Sequence, residues 1–145
     1  MLGVLADVMA AAPATTVPPV GNCFGSGAIP VAGAAACTIG GSTARTVLIR
    51  AVGPGLGALG VPSTMPDPQL VLNASAGGVV GTNAAWGGDP QIATASANVG
   101  AFSLGSATSL DSVLLITLAP GGYSAVASSV SGAAGTCLIE VYEVP

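Results

Sequence analysis

SVLLITLAPGGYSAVASSV, residues 112–130, is the stretch that decides the fold class of this 145-residue chain. Its first half is apolar and rich in branched side chains, and its second half alternates small apolar with polar residues. Pro120, Gly121 and Gly122 stand between the two halves, and such residues mark turns. Short β-prone runs bounded by turn residues are typical of strands. The stretch therefore predicts two strands joined as a β-hairpin.

Four more segments on either side of this stretch have the same character. They are RTVLIRAV (45–52), PQLVLNA (68–74), GGVVGTN (77–83) and TCLIEVYEV (136–144). The turn SAGG around Ala76 predicts that the second and third of these segments form a hairpin.

The last segment alternates between two faces, as a strand does. Cys137, Ile139 and Val141 share one face, and Leu138, Glu140 and Tyr142 share the other. A helical turn is expected only in DPQIATASANVGAF (89–102), with Asp89 as its N-cap. Together these features predict an all-β, antiparallel sandwich of jelly-roll type over residues 23–145.

The composition excludes several classes of protein. The chain is 51% hydrophobic and 6% charged, with a formal net charge of −4, two arginines, no lysine and no histidine. A disordered chain has the opposite balance, and a nucleic-acid-binding protein needs cations to neutralise phosphates. The longest apolar run, residues 113–119, is far shorter than the roughly 20 residues of a membrane-spanning helix. We therefore expect neither a nucleic-acid partner nor a membrane span.

Three cysteines favour an oxidising compartment, so an extracellular or cell-surface location is expected. Cys23 and Cys37 bracket a Gly/Ala-rich segment and are predicted to form a disulfide. A Cys37–Cys137 bridge is the main alternative, and three buried thiols are the other. A chain without histidine and without a C-x-x-C motif is not expected to bind a metal ion.

Enzymatic activity is not expected, because the side chains that most often serve as general bases are missing. Asp67, Asp89 and Asp111 stand in turn-like contexts, where an aspartate normally caps the turn. Trp86, the single tryptophan, is expected to fill the core. GPGLG (53–57) lacks the lysine and the following helix of a phosphate-binding loop. No cofactor is predicted.

Arg50 lies inside an apolar strand, so its guanidinium needs a carboxylate partner if it is buried. Asp67 is the predicted partner, with Asp89 as the alternative. The expected role of this ion pair is to clamp the sandwich.

Four blocks of sequence resemble a recurrent secreted bacterial β-sandwich module. The blocks are RTVLIRAVGPGLGALGV (45–61), DPQLVL (67–72), NAAWGGD (83–89) and LLITLAPGGYSAVASSVSGAAGTCLIEVYEV (114–144). The resemblance covers roughly residues 37–145 and implies a β-sandwich at the bacterial surface, without a known enzymatic activity. It does not extend to the front of the chain.

The opening MLGVLADVMAAAPATTVPPVGN, residues 1–22, is predicted to be an extension of the sandwich. Read as a strand, it places Leu2, Val4, Ala6, Val8 and Ala10 on one apolar face. A short helix with an apolar stripe fits the same residues. The prolines that follow favour an extended path away from the domain. An apolar strand held in this way is suited to adding to a neighbour's sheet.

These features predict a structural subunit of an extracellular filament that assembles head to tail with copies of itself. The alternatives are a strand that folds back on its own sheet, a leader remnant, or a monomeric adhesion or carbohydrate-binding module. Covalent glycans are candidate attachments, at Asn73 in the motif Asn-Ala-Ser and at Thr15 and Thr16 in the Pro-rich stretch.

Overall fold

The computed structural model describes residues 24–29 and 32–145, with side chains from residue 33 onward. It contains eight strands and two short helices among these residues. The strands are β1 (Phe24–Ile29), β2 (Ala32–Ile39), β3 (Arg45–Val52), β4 (Pro68–Ala74), β5 (Val79–Asn83), β6 (Ser112–Leu118), β7 (Gly121–Ser129) and β8 (Gly135–Val144). The helices are α1 (Pro54–Gly57) and α2 (Pro90–Asn98). The predicted extension, residues 1–22, lies outside the described residues.

The strands form two antiparallel sheets of four strands each. We call them sheet A, in the order β1-β8-β3-β6, and sheet B, in the order β2-β7-β4-β5. The chain doubles back at the β4–β5 turn, so that its two halves run side by side as one long antiparallel ribbon. The strand pairs along this ribbon are β1–β8, β2–β7, β3–β6 and β4–β5. The pairs β3–β8 and β4–β7 then roll this ribbon into a sandwich. This connectivity is that of a jelly roll, so the predicted fold class is confirmed.

The stretch that predicts the fold class forms two strands, but it does not form the predicted hairpin. β6 pairs with β3 in sheet A, whereas β7 pairs with β2 and β4 in sheet B. The turn at Pro120 therefore carries the chain from one sheet to the other. Turn residues specify that the chain reverses, but which strands then pair depends on distant segments. The second predicted hairpin, β4–β5 around Ala76, is confirmed.

Side-chain alternation divides the apolar residues between two cores. The inner core lies between the sheets and contains the inward faces of β2, β3, β4, β7 and β8. The second core lies on the outer face of sheet A, beneath α2 and the segment that follows it. β8 contributes to both cores as predicted, with Ile139 and Val141 in the inner core and Leu138 and Tyr142 in the second. The part of sheet A formed by β3, β8 and the start of β6 is thus covered on both faces.

α2 begins where the sequence predicts. The Asp89 side chain accepts a hydrogen bond of 2.8 Å from the backbone N–H of Gln91, and Pro90 occupies the first helical position. An N-cap of this kind satisfies a helix N–H group that has no partner within the helix. Ile92 and Ala95 are buried against sheet A, so the cap fixes the cover of the second core.

Candidate functional site: a buried charge cluster and an open sheet edge

The few charged side chains of the chain are divided between the interior and the surface. Arg50, Asp111 and Glu140 are buried. The other charged residues in the described part of the chain are Arg45, Asp67, Asp89 and Glu143. No strand of sheet B contains a charged residue. The domain therefore presents an almost uncharged surface, and one whole sheet carries no charge.

The carboxylate partner of Arg50 is Glu140, and the predicted pairing with Asp67 is wrong. Arg50 Nε lies 3.0 Å from Glu140 Oε2, and the two residues face each other across the β3–β8 pairing. Register decides this outcome, because directly opposed residues on neighbouring strands lie on the same face of a sheet. Asp67 precedes β4, which belongs to the other sheet.

The contacts around the Arg50–Glu140 pair close the second core. Arg50 Nη1 donates a 2.8 Å hydrogen bond to the Phe102 carbonyl oxygen, and the guanidinium carbon lies 4.5 Å from the centre of the Phe102 ring. Tyr142 Oη donates to Glu140 Oε1 at 2.9 Å. Burial lowers the pKa of Arg50 and raises the pKa of Glu140, and their mutual attraction opposes both shifts. Burial also raises the pKa of the Tyr142 hydroxyl. The cluster ties the segment after α2 to sheet A, which is a structural role.

Of the three aspartates predicted to cap their own turns, only Asp89 does so, and Asp67 and Asp111 instead bind backbone groups of distant segments. Asp67 accepts hydrogen bonds from Ser129 Oγ at 2.6 Å and from the Ser131 backbone N–H at 3.0 Å. The side-chain hydrogen bonds from these two serines hold the pKa of Asp67 below its ordinary value. Asp111 Oδ1 accepts from the Gly53 N–H at 2.8 Å, and both of its oxygens lie within 3.2 Å of the Gly55 nitrogen.

The Asp111 contacts explain what the GPGLG loop does. Its first and second glycines, Gly53 and Gly55, direct their N–H groups to a carboxylate of the same chain. The Ser109 hydroxyl donates to the same carboxylate. The Asp111 carboxylate thus occupies the backbone N–H groups that would otherwise be available to bind a phosphate. The loop holds the end of β3 against the start of β6.

Trp86 is half-buried and packs against the second core. Its ring N–H donates a 3.1 Å hydrogen bond to the Ser106 carbonyl oxygen. The ring is one wall of a pocket of about 220 Å³, whose other walls come from α2 and the segment after it. The pocket is lined mainly by apolar side chains and by serines, so it offers no group for acid–base chemistry.

The β5 edge of sheet B exposes apolar side chains. Among the described residues, β5 pairs only with β4, so its other side carries unpaired backbone groups. Val79 is 59% exposed and Val80 is 40% exposed. Charged residues and proline on an edge strand normally prevent it from pairing with another chain. The β5 strand VVGTN contains neither.

The inner core is also incompletely covered at this edge. Leu114 and Ile116 of β6 point inward, and both are only partly buried. A Cβ atom built on Gly81 of β5 would lie 3.4–3.5 Å from their methyl groups, at ordinary contact distance, so Gly81 is the β5 residue beside both side chains. At the opposite edge of sheet B, the inward residues Ala35 and Cys37 are buried. We call β5 together with Leu114 and Ile116 the open edge.

Several predicted site residues fall outside the described part of the chain. They are the proposed donor-strand residues Leu2, Val4, Ala6, Val8 and Ala10, the threonines Thr15 and Thr16, and Cys23. The Cys23–Cys37 disulfide therefore stays a prediction. Cys37 and Cys137 are both buried in the inner core. Burial raises the pKa of the Cys137 thiol to about 12. Asn73 is half-buried near the end of β4.

Sequence reasoning missed the open edge, although its signal is visible in VVGTN. A short strand with two adjacent valines, a glycine and no charge is poorly protected if it lies at an edge. The sequence alone does not say which strands lie at the edges, because that depends on the pairing of all eight.

Comparison with protein-family models, with curated proteins and with solved structures gave no match. Within residues 24–29 and 32–145, no cluster of three or more His, Cys, Asp or Glu side chains is arranged to hold a metal ion.

In the same part of the chain, neither helix has the length and apolar character needed to cross a membrane.

Proposed function

We propose that this protein is a structural subunit of an extracellular bacterial filament, assembled head to tail from copies of itself. Each subunit donates its N-terminal segment as a strand to the sheet of the next subunit. The observation that carries the proposal is the open edge, an uncharged strand that pairs with a described strand on one side only, beside two partly exposed core residues. In a monomer such an edge exposes backbone groups that tend to pair with other chains, and in a polymer it serves as the binding site for the next subunit's strand.

The surface of the domain supports assembly rather than a solitary existence in solution. Soluble monomers normally carry many charges of both signs. Here Arg45 is the only described cation at the surface, and it is paired with Glu143 at 2.7 Å. Large apolar side chains away from the open edge are exposed as well: Leu59, Leu110 and Val130. Neighbouring subunits that cover such a surface remove it from water and so stabilise the polymer.

The sequence of the N-terminal segment fits an open edge. Its predicted inward face, with Leu2, Val4 and Val8, is apolar, and its single charge, Asp7, is on the other face. Strand addition pairs the free backbone groups of the acceptor and buries alternate side chains of the donor. A contact in which one surface binds a different surface of the next copy does not close on itself, so it propagates as a filament.

Glycans on the same filament are a second part of the proposal. Asn73 alternates with the inward Leu72, so it belongs to the outer face of sheet B. It lies next to the β4–β5 turn, where Gly77 and Gly78 have open space around them. Intact-mass measurement of the secreted protein and of an Asn73→Gln variant tests this attachment.

The proposal is tested by electron microscopy and sedimentation of the full-length protein. We expect the wild-type chain to form thin, continuous fibres that pellet on centrifugation. Val4→Asp and Val8→Asp should abolish them, because an unpaired carboxylate enters an apolar site only at a large cost. Gly3→Asp is the matched control on the opposite face and should leave the fibres intact. Monomers of the wild-type chain at every protein concentration would overturn the proposal.

A further inference from the structure

The structure has four sheet edges at which a donated strand could add, and they are not equivalent. β1 and β6 lie at the edges of sheet A, and β2 and β5 lie at the edges of sheet B. The inward residues of β2 are buried, so an added strand would find little apolar surface left to cover there. The start of β6 is tied to β5, because the Val113 N–H donates a 3.0 Å hydrogen bond to Asn83 Oδ1.

We infer that the acceptor is β5, and that residues 1–12 of a second copy add to it as a fifth strand of sheet B. This inference rests on the proposed function and names its binding site. Neighbouring strands lie about 4.8 Å apart, so an added strand would pass directly beside Gly81. Its inward side chains would lie over Leu114 and Ile116, whose methyl groups are the nearest neighbours of a Cβ at position 81. The added strand would complete the inner core at this edge.

The charges of the two segments fit this arrangement. Neither β5 nor the inward residues of β6 at the open edge carry a charge, so the site offers no partner for a buried carboxylate. In the strand register that places Leu2, Val4 and Val8 inward, Asp7 points outward with Val80 and Thr82, on the side that faces water. The proposed occupant is the apolar opening of a second copy, which makes up twelve of the 23 residues that precede Phe24; a chain that inserts this segment into its own β5 would stay monomeric and would not pellet.

The experiment places a lysine at position 81 of the full-length chain. Gly81 has no left-handed backbone conformation, so a side chain there is compatible with the strand. At an unoccupied edge the long lysine side chain can reach water, but beneath an added strand its charge would be buried. Gly81→Lys should therefore keep the circular dichroism spectrum of the wild-type chain and reduce the pelleted fraction at least tenfold. Gly81→Glu, with the opposite charge, should act in the same way.

Two control variants accompany this test. Gly81→Ala adds only a methyl group at ordinary contact distance from Leu114 and should leave the fibres unchanged. Ala36→Lys places the same charge on the outer face of β2, at the opposite edge of the same sheet, and should also be neutral. If Gly81→Lys leaves the fibres unchanged, the acceptor assignment is wrong.

A second measurement separates the acceptor from the filament. A fluorescent peptide of sequence MLGVLADVMAAA is titrated into the wild-type chain and into Gly81→Lys, and its anisotropy is followed. We expect at least tenfold weaker binding to the variant. If no fibres form but the peptide still discriminates between the two chains, the proposed function fails while the acceptor stands. Equal binding to both chains overturns the acceptor.

One further outcome concerns the occupant. Fibres that persist in Val8→Asp but are lost in Gly81→Lys would mean that β5 edges pair with one another, without the N-terminal segment. That result would overturn residues 1–12 as the occupant.

Discussion

Replacing Glu140 by glutamine should destabilise the fold strongly, because it leaves Arg50 buried without a counter-charge. The Arg50 side chain is 0% exposed and that of Glu140 is 7% exposed. The amide oxygen of glutamine can still accept the Tyr142 hydrogen bond, so the substitution removes little beyond the charge. Breaking a buried ion pair costs about 3–5 kcal/mol. At about 3 °C per kcal/mol for a domain of this size, the melting temperature should fall by about 9–15 °C.

The matched control is Glu143→Gln, the same substitution three positions further along β8. Glu143 pairs with Arg45, whose side chain is 38% exposed, so solvent screens this pair. The control should cost less than about 1 kcal/mol. Both variants, and an Arg50→Met/Glu140→Leu double variant, are compared by urea denaturation monitored by circular dichroism. The double variant should recover most of the lost stability, because no unpaired charge remains.

The Glu140 prediction has two refuting results. Equal losses of stability in Glu140→Gln and Glu143→Gln would show that the buried pair contributes no more than a surface pair. A double variant less stable than Glu140→Gln would show that the apolar part of these side chains, and not their charge, holds the second core together.

Three further predictions concern pH, thiol reactivity and packing. The pKa of Asp67 is lower in the folded state than in the unfolded chain, so the ionised carboxylate stabilises the fold above the ordinary aspartate pKa near 4. This contribution to the free energy of unfolding is lost as pH falls through the lowered pKa. Asp67→Asn should therefore flatten the acid side of the stability–pH curve, and an unchanged curve would contradict this. Burial raises the pKa of the Cys137 thiol to about 12, so this thiol should resist iodoacetamide at pH 8 in the folded protein and react only in urea. Mass spectrometry follows the labelling, and rapid labelling of the folded chain would contradict the burial of Cys137. Gly135→Ala should lower the free energy of unfolding by about 1–3 kcal/mol, because the new Cβ would lie 2.4 Å from the Met65 nitrogen. Gly81→Ala is the control, and equal stability of the two variants would refute the close contact at Gly135.

Much of the fold is readable from the sequence because glycine and proline delimit the strands. β3 and β4 have the bounds that their β-prone segments predict, and the N-cap of α2 is where Asp89 places it. The two faces of β8 follow from alternation alone. Each of these features is local, so a window of about ten residues contains the information that determines it.

The features that sequence reasoning missed depend on distant pairing. β1 and β2 consist largely of glycine, alanine and serine, which have little intrinsic preference for strands. They form strands because β8 and β7 offer them edges to pair with. The β3–β8 register determines the ion-pair partner of Arg50. The chain passes from sheet A to sheet B at Pro120 because β6 and β7 pair with strands of different sheets. None of these can be read from neighbouring residues.

The ribbon arrangement also sets the order in which this chain can complete its fold. The β4–β5 turn joins segments that are adjacent in sequence, whereas β1 pairs with β8 across more than 100 residues. β8 lies between β1 and β3, so sheet A stays split until β8 is available. β8 follows the other seven described strands in the sequence, so the strand that joins the two parts of sheet A is synthesised after all of them. The two parts of sheet A therefore come together late in folding, after the β4–β5 hairpin can already form.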